Sequence, residues 1–239
     1  HHSMMLDTAL IDLADFPPQR LHETIPHFHD TPARFEQLMQ AVREDKAGRL
    51  KNVAAELEFA KARVAEGGAP LKMRLVKGCN LEMETVISSL RGWPNPILST
   101  KTEVDANYLH ILERALLPEN AKALHIGVAS HNLFTIAYAY LLSQKNNSSE
   151  YMTFEMLEGM ADHVWRAQSQ LSNHIILYAP VVKDEHFLNA ISYLVRRMDE
   201  NTAPDNFLTH SFNLKPGTDT WNFLQKQFEE AYHKKDSVS

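Results

Sequence analysis

A single cysteine, Cys79, in 239 residues leaves no partner for an intrachain disulfide and fits a reducing compartment. No apolar run approaches the ~20 residues that span a bilayer, and no signal peptide precedes the first helical segment, so the expected location is the cytoplasm. Positive charge is scarce and scattered. Lys and Arg number 24 against 30 Asp and Glu, a net charge of −6, which is the wrong balance for a phosphate-binding surface and argues against nucleic acid as a partner. What is abundant is apolar mass: hydrophobic residues make up 44% of the chain, enough for a substantial core in one soluble domain. His1-His2-Ser3-Met4 has the form of a purification-tag remnant and is set apart from the fold.

Between Met5 and Pro70 no buried strand is legible. Pro17-Pro18 breaks any helix begun over 6–13, and the segment up to Pro26 reads as a lead-in. Thr31-Pro32 supplies an N-cap and a first-turn proline, and Phe35, Leu38, Met39 and Val42 then recur at helical spacing, which predicts a helix over 32–46. A second helix is expected after Gly48, along Leu50, Val53, Leu57 and Val64, stopping at Gly67-Gly68. From there the pattern changes to short apolar runs alternating with amphipathic stretches, the mark of parallel βα units. Strands are predicted near 71–76, 95–98, 124–128, 152–157 and 174–179, with helices near 81–91, 104–116, 132–144, 159–171 and 184–200. The expected organisation is a tag remnant over 1–4, an N-terminal helical segment over 5–66 and a (β/α) segment over 67–239.

Polar residues stand at several strand ends: Lys77, Thr100-Lys101, Ser130-His131-Asn132, Glu155, Glu158 and Tyr178. In parallel α/β folds that edge carries the chemistry, so the layout favours an enzyme. On the last of these helices, Tyr193, Arg196, Arg197 and Glu200 fall on or near one face. Paired Arg forks suit a carboxylate, Glu suits an ammonium and Tyr offers a flat wall, so this face fits a small zwitterionic amino acid. The plainer alternative is an exposed helix with an Arg196–Glu200 pair. His22, His27, His29 and Asp30 invite a metal reading, yet their spacing matches no tetrahedral zinc pattern, and no metal is expected. Cys79 has no clear partner base and reads as a small packed residue. Met152, Met156 and Met160 read as core filler. A metal-dependent hydrolase barrel built on His131 and Glu155 finds too few His and Asp at strand ends.

Taken in order, Arg74-Leu75-Val76-Lys77-Gly78, Thr100-Lys101 with Asp105, Ala129-Ser130-His131-Asn132, Phe154-Glu155, Gly159-Met160, Ile176-Leu177-Tyr178-Ala179-Pro180 and Tyr193-Leu194-Val195-Arg196-Arg197 with Glu200 resemble the flavin-dependent proline dehydrogenase family. The likeness is greatest to the proline dehydrogenase domain of proline utilization A and covers residues from about 55 to 215. The resemblance implies an α/β fold of (β/α) barrel type and oxidation of L-proline to Δ1-pyrroline-5-carboxylate, with hydride passing to FAD and electrons to a membrane quinone. It implies that Arg196 and Arg197 clamp the proline carboxylate, that Glu200 pairs with the ring nitrogen or an Arg, and that Tyr178, Tyr193 and Leu157 surround the ring. It puts Arg74 near the reactive edge of the flavin. Lys77, Gly78, Thr100, Lys101, His131, Asn132 and Glu155 are the implied FAD contacts. Peripheral contact with the inner membrane face and a fused or associated aldehyde dehydrogenase domain follow from the same likeness.

The chain also departs from the pattern. The matching motifs supply strands five to eight of an eight-stranded barrel, and the residues upstream of about 53 join them abruptly. Asn80 stands where many relatives carry Tyr. The expected fold is therefore a half barrel with associated N-terminal helices. Its open edges and face call for cover by those helices, by a second copy in a homodimer, or by the other half of a larger enzyme. The competing functional reading is a non-catalytic fragment that lacks the early strands and holds no FAD productively.

Overall fold

A computed structural model describes residues 54–77, 81–92, 98, 100–172, 174–179, 181–202, 204 and 206–237, apart from some side chains on three helices. The expected helix over 32–46, the His22, His27, His29 and Asp30 cluster, Cys79 and the first part of the N-terminal segment lie outside the described residues. Four parallel strands form one sheet in the order β1 (Leu71–Leu75), β2 (Leu124–Ala129), β3 (Met152–Leu157) and β4 (Ile175–Tyr178). They coincide with four of the five predicted runs. Residues 95–97 of the fifth lie outside the described residues, and β1 pairs directly with β2.

Helices fill the intervals. They are α1 (Ala54–Ala65), α2 (Leu81–Arg91), α3 (Lys101–Ala115), α4 (Pro118–Ala121), α5 (Leu133–Lys145), α6 (Asp162–Ser169), α7 (Phe187–Asn201), α8 (Phe207–His210) and α9 (Asp219–Lys234). Two of the boundaries have clear local causes. Thr100 caps α3 in a capping box with Glu103, and Asn132 caps α5 by accepting from the backbone of Phe134 and Thr135.

Alternation along the strands sorts side chains onto two faces. Leu75, Ile126, Val128, Met152, Phe154 and Met156 point to the helices and are buried against Leu112, Leu116, Ile136 and Val164. Two of the three methionines read as core filler, Met152 and Met156, are in this core. Leu57 and Ala60 of α1 pack on Leu71 and Leu124, so this helix belongs to the same packed body as the sheet. Beyond β4, α9 lies along α3 and α5: Ala231 and Phe228 meet Ala106, Leu109 and Tyr138, and Lys235 Nζ lies 2.9 Å from Glu113 Oε2. Among the described residues no helix is long and apolar enough to cross a membrane.

Candidate active site

The opposite face of the sheet carries Lys72 and Arg74 from β1, His125 and Gly127 from β2, Thr153, Glu155 and Leu157 from β3, and Tyr178 from β4. This face runs toward the carboxyl ends of the strands, where ligands bind in parallel α/β folds. After β3, the turn Glu158–Met160 needs a left-handed residue and has it in Gly159, at φ 77°. Glu158 N–H then donates to the Tyr178 carbonyl at 2.9 Å, which fixes the β3 and β4 ends side by side.

Above those ends α7 crosses, and between them lies a pocket of about 200 Å³ lined by Leu157, Glu158, Gly159, Met160, Tyr178, Ala179, Tyr193, Leu194 and Arg197. Four of the predicted substrate residues, Leu157, Tyr178, Tyr193 and Arg197, therefore share one cavity although they come from three elements. The Arg197 guanidinium carbon is 5.4 Å from the Tyr193 ring centre, close enough for the ring to help hold the cation's position. The volume is smaller than a drug-sized site and suits a small molecule. The Arg196 and Glu200 side chains and Gly78 lie outside the described residues.

Arg74 approaches the pocket from beneath, its guanidinium carbon 4.6 Å from the Tyr178 ring centre. Its Nε lies 2.9 Å from Glu155 Oε2, and Lys72 Nζ lies 3.0 Å from Glu155 Oε1. The Glu155 carboxylate has no exposed surface.

A second polar cluster stands beside the β1 end and the start of α3. Asp105 bridges Lys77 Nζ at 3.0 Å and Lys101 Nζ at 2.5 Å. Lys77 also donates to Thr135 Oγ1 at 2.9 Å and sits over the Tyr108 ring at 4.9 Å. Burial pushes the Lys77 pKa down, with Asp105 opposing the shift. For Asp105 burial acts upward, but the two ammonium groups outweigh it and hold the carboxyl below its ordinary range. Lys101 is thus a partnered residue and not a solvated charge.

His131 Nε2 accepts the Leu157 backbone N–H at 3.2 Å, tying the β2 end to the β3 end. Burial lowers its pKa and the Arg74 charge adds to that effect, so the ring is neutral at neutral pH, as an accepting Nε2 requires. Thr100 and Asn132, both read as cofactor contacts, spend their side-chain oxygens on helix caps in this structure. Among the described residues no group of three or more His, Cys, Asp and Glu could hold a metal ion. Sequence reasoning left Lys72, Gly127, Thr153, Tyr108 and Thr135 out of the site. A glycine inside a strand was the available signal for Gly127.

The proline dehydrogenase profile matches residues 28–210, well over half of the chain. The chain belongs to the proline dehydrogenase family. The family match begins upstream of α1 and ends at α8, leaving α9 beyond it. Among solved structures, proline utilization A from Corynebacterium freiburgense is 39% identical with a TM-score of 0.66, over 78% of this chain and 17% of that one. Proline utilization A from Bdellovibrio bacteriovorus, in a form inactivated by N-propargylglycine, is 33% identical with a TM-score of 0.62, over 75% of this chain and 17% of its own. The bifunctional protein PutA of Klebsiella aerogenes is 30% identical over 145 residues, 58% of this chain and 11% of the relative. The chain thus spans a small fraction of the length of these relatives. The parallel four-stranded sheet with its helices is a partial (β/α) barrel of this family.

Proposed function

We propose that this chain carries the proline-binding part of an FAD-dependent proline dehydrogenase, which oxidises L-proline to Δ1-pyrroline-5-carboxylate. The observation that carries the reading is the pocket in which Leu157, Tyr178, Tyr193 and Arg197 meet. Its walls are largely apolar and aromatic, with a guanidinium as the anchoring charge, which suits a compact ring bearing a carboxylate. Arg197, with Arg196 beside it in sequence, binds the carboxylate, and Glu200 receives the ring nitrogen. Tyr178, Tyr193 and Leu157 flank the ring and keep water from it. Arg74 places a positive charge under the pocket, where negative charge developing on an acceptor is stabilised.

The residues present fit FAD on the chemistry of the donor set. Lys77 and Lys101 share the one carboxylate of Asp105, so cation exceeds anion there and an anionic diphosphate is a suitable guest. Gly78, Thr100, His131 and Asn132 are the further proposed contacts of the cofactor, and Glu155 contributes from beneath through its pairing with Arg74. When bound, FAD supplies the two-electron acceptor for the hydride and returns those electrons to a quinone. Neutral His131 fixes the strand ends that present Leu157, and the capped α3 and α5 hold Lys101 and Thr135 in place. In this reading the chain works in the cytoplasm with peripheral contact at the inner membrane face, alongside a fused or associated aldehyde dehydrogenase domain. Its division into an N-terminal helical segment, 5–66, and a (β/α) segment, 67–239, belongs to the same proposal.

One observation favours a second reading, in which the chain alone is non-catalytic and is completed by another half, for instance in a homodimer. Phe187, Leu188, Ile191, Val195 and Met198 of α7 are all exposed, and β1 and β4 are both sheet edges among the described residues. Titration with FAD, followed by quenching of flavin fluorescence, tests the leading reading. Saturable binding is expected. No binding at about 100 μM FAD overturns the flavin assignment and leaves the second reading standing.

A further inference from the structure

On the polar face of the sheet, Glu155 is surrounded by donors and has no exposed surface, although the resemblance gives it a place against the cofactor. Its carboxylate faces Lys72 Nζ at 3.0 Å and Arg74 Nε at 2.9 Å, and Thr153 Oγ1 donates to Oε1 at 3.2 Å. The two cations are on β1 and Glu155 is on β3, so the side chain must pass over β2. It does so at Gly127, the register partner of Arg74 on one side and of Thr153 on the other. A methyl group on Gly127 would lie 2.1 Å from Glu155 Oε1, so the carboxylate would have to leave its place. The glycine is the notch through which the carboxylate reaches. On the far side of the pair, the Arg74 guanidinium rests against Tyr178, and Tyr178 lines the pocket.

We propose that Glu155 is a positioning residue that touches neither cofactor nor substrate: with Gly127 as its notch, it aims Arg74 at Tyr178 and the pocket. An arginine side chain has several rotatable bonds, and a buried carboxylate oxygen 2.9 Å from its Nε restrains that freedom by charge. Pairing also offsets the cost of burying the guanidinium, which unpaired would turn toward solvent. The positioning itself is read from the geometry. Its consequence for flavin and proline rests on the function proposed above.

NMR of the Arg74 Nε–H, assigned by its loss in Arg74→Lys, tests the positioning without any ligand. The wild-type signal is expected to be rigid and protected from exchange. In Glu155→Gln and, independently, in Gly127→Ala, which keeps the charge but fills the notch, it is expected to become mobile and exchange at least about tenfold faster. An unchanged Arg74 signal in a folded variant of either kind overturns the proposal. If Glu155→Gln does not fold, Gly127→Ala carries the test. In the FAD-loaded protein, Glu155→Gln is expected to shift the flavin absorption band and midpoint potential when Arg74 is present and to have no further effect in an Arg74→Met background. An equal shift in both backgrounds means that Glu155 acts on the flavin directly, and the proposal fails. A wild-type protein that binds no FAD defeats the proposed function, while the Arg74 resonance still decides the positioning.

Discussion

The two faces of one four-stranded sheet follow opposite rules. On the helix-facing side, Leu75, Val128, Phe154 and Met156 are buried by apolar neighbours, and any residue of similar shape would serve. On the other side, residues one position away, Arg74 and Glu155 pair by charge across Gly127, and each depends on the identity of the next. Alternation along a strand thus lets one segment build a core and a site at once. The first face should answer to volume and the second to charge and register.

The largest effect belongs to the apolar face. Phe154→Ala should destabilise the chain by about 3–5 kcal/mol, read by chemical denaturation. A cost below about 1 kcal/mol would mean that the core does not form around this strand. Next, Asp105→Asn leaves two ammonium groups around an amide and should cost about 3 kcal/mol of stability. It should also weaken FAD binding by disordering Lys77 and Lys101, which a flavin titration measures. Third, Arg197→Met should weaken binding of a proline analogue by about 2 kcal/mol with the melting temperature nearly unchanged. Unaltered affinity in that variant would remove the pocket from the account.

The smallest effect is one of pH. His131 has a folded pKa below its ordinary value, so above that ordinary value both folded and unfolded chains hold it neutral and stability is insensitive to it. As pH falls below the ordinary value the unfolded chain takes up the proton first, and stability declines until the folded pKa is reached. His125, also lowered by burial and by Lys72, contributes a slope of the same sign. His131→Gln keeps an acceptor for the Leu157 N–H and should flatten the decline between pH 6.5 and the acid range. An identical slope would show that His131 is already charged or solvated.

Much of the architecture was legible because β-rich runs and capped amphipathic stretches have strong local periods. The runs near 71–76, 124–128, 152–157 and 174–179 became β1 to β4 within a residue or two. The pocket was partly legible too, since Tyr193 and Arg197 are set by helical spacing alone, while Leu157 and Tyr178 required the strand ends to be known. Register was not legible. Nothing local in Phe154-Glu155 says that the carboxylate leans back across Gly127 to Lys72 and Arg74, since that depends on which strands are neighbours. Thr100 and Asn132 were read through the resemblance as ligand contacts, whereas Thr100 with Glu103 three residues on is a capping box that the sequence displayed. Asp105 stood within a quoted motif, but its role as the shared partner of two lysines emerges only when β1 and α3 are brought together.

The most direct measurement is the visible spectrum of the FAD-loaded protein under anaerobic conditions as L-proline is added. The account predicts that the yellow oxidised flavin bleaches with saturation in proline and that Arg197→Met raises the concentration needed. A loaded flavin that stays oxidised at every proline concentration would contradict it.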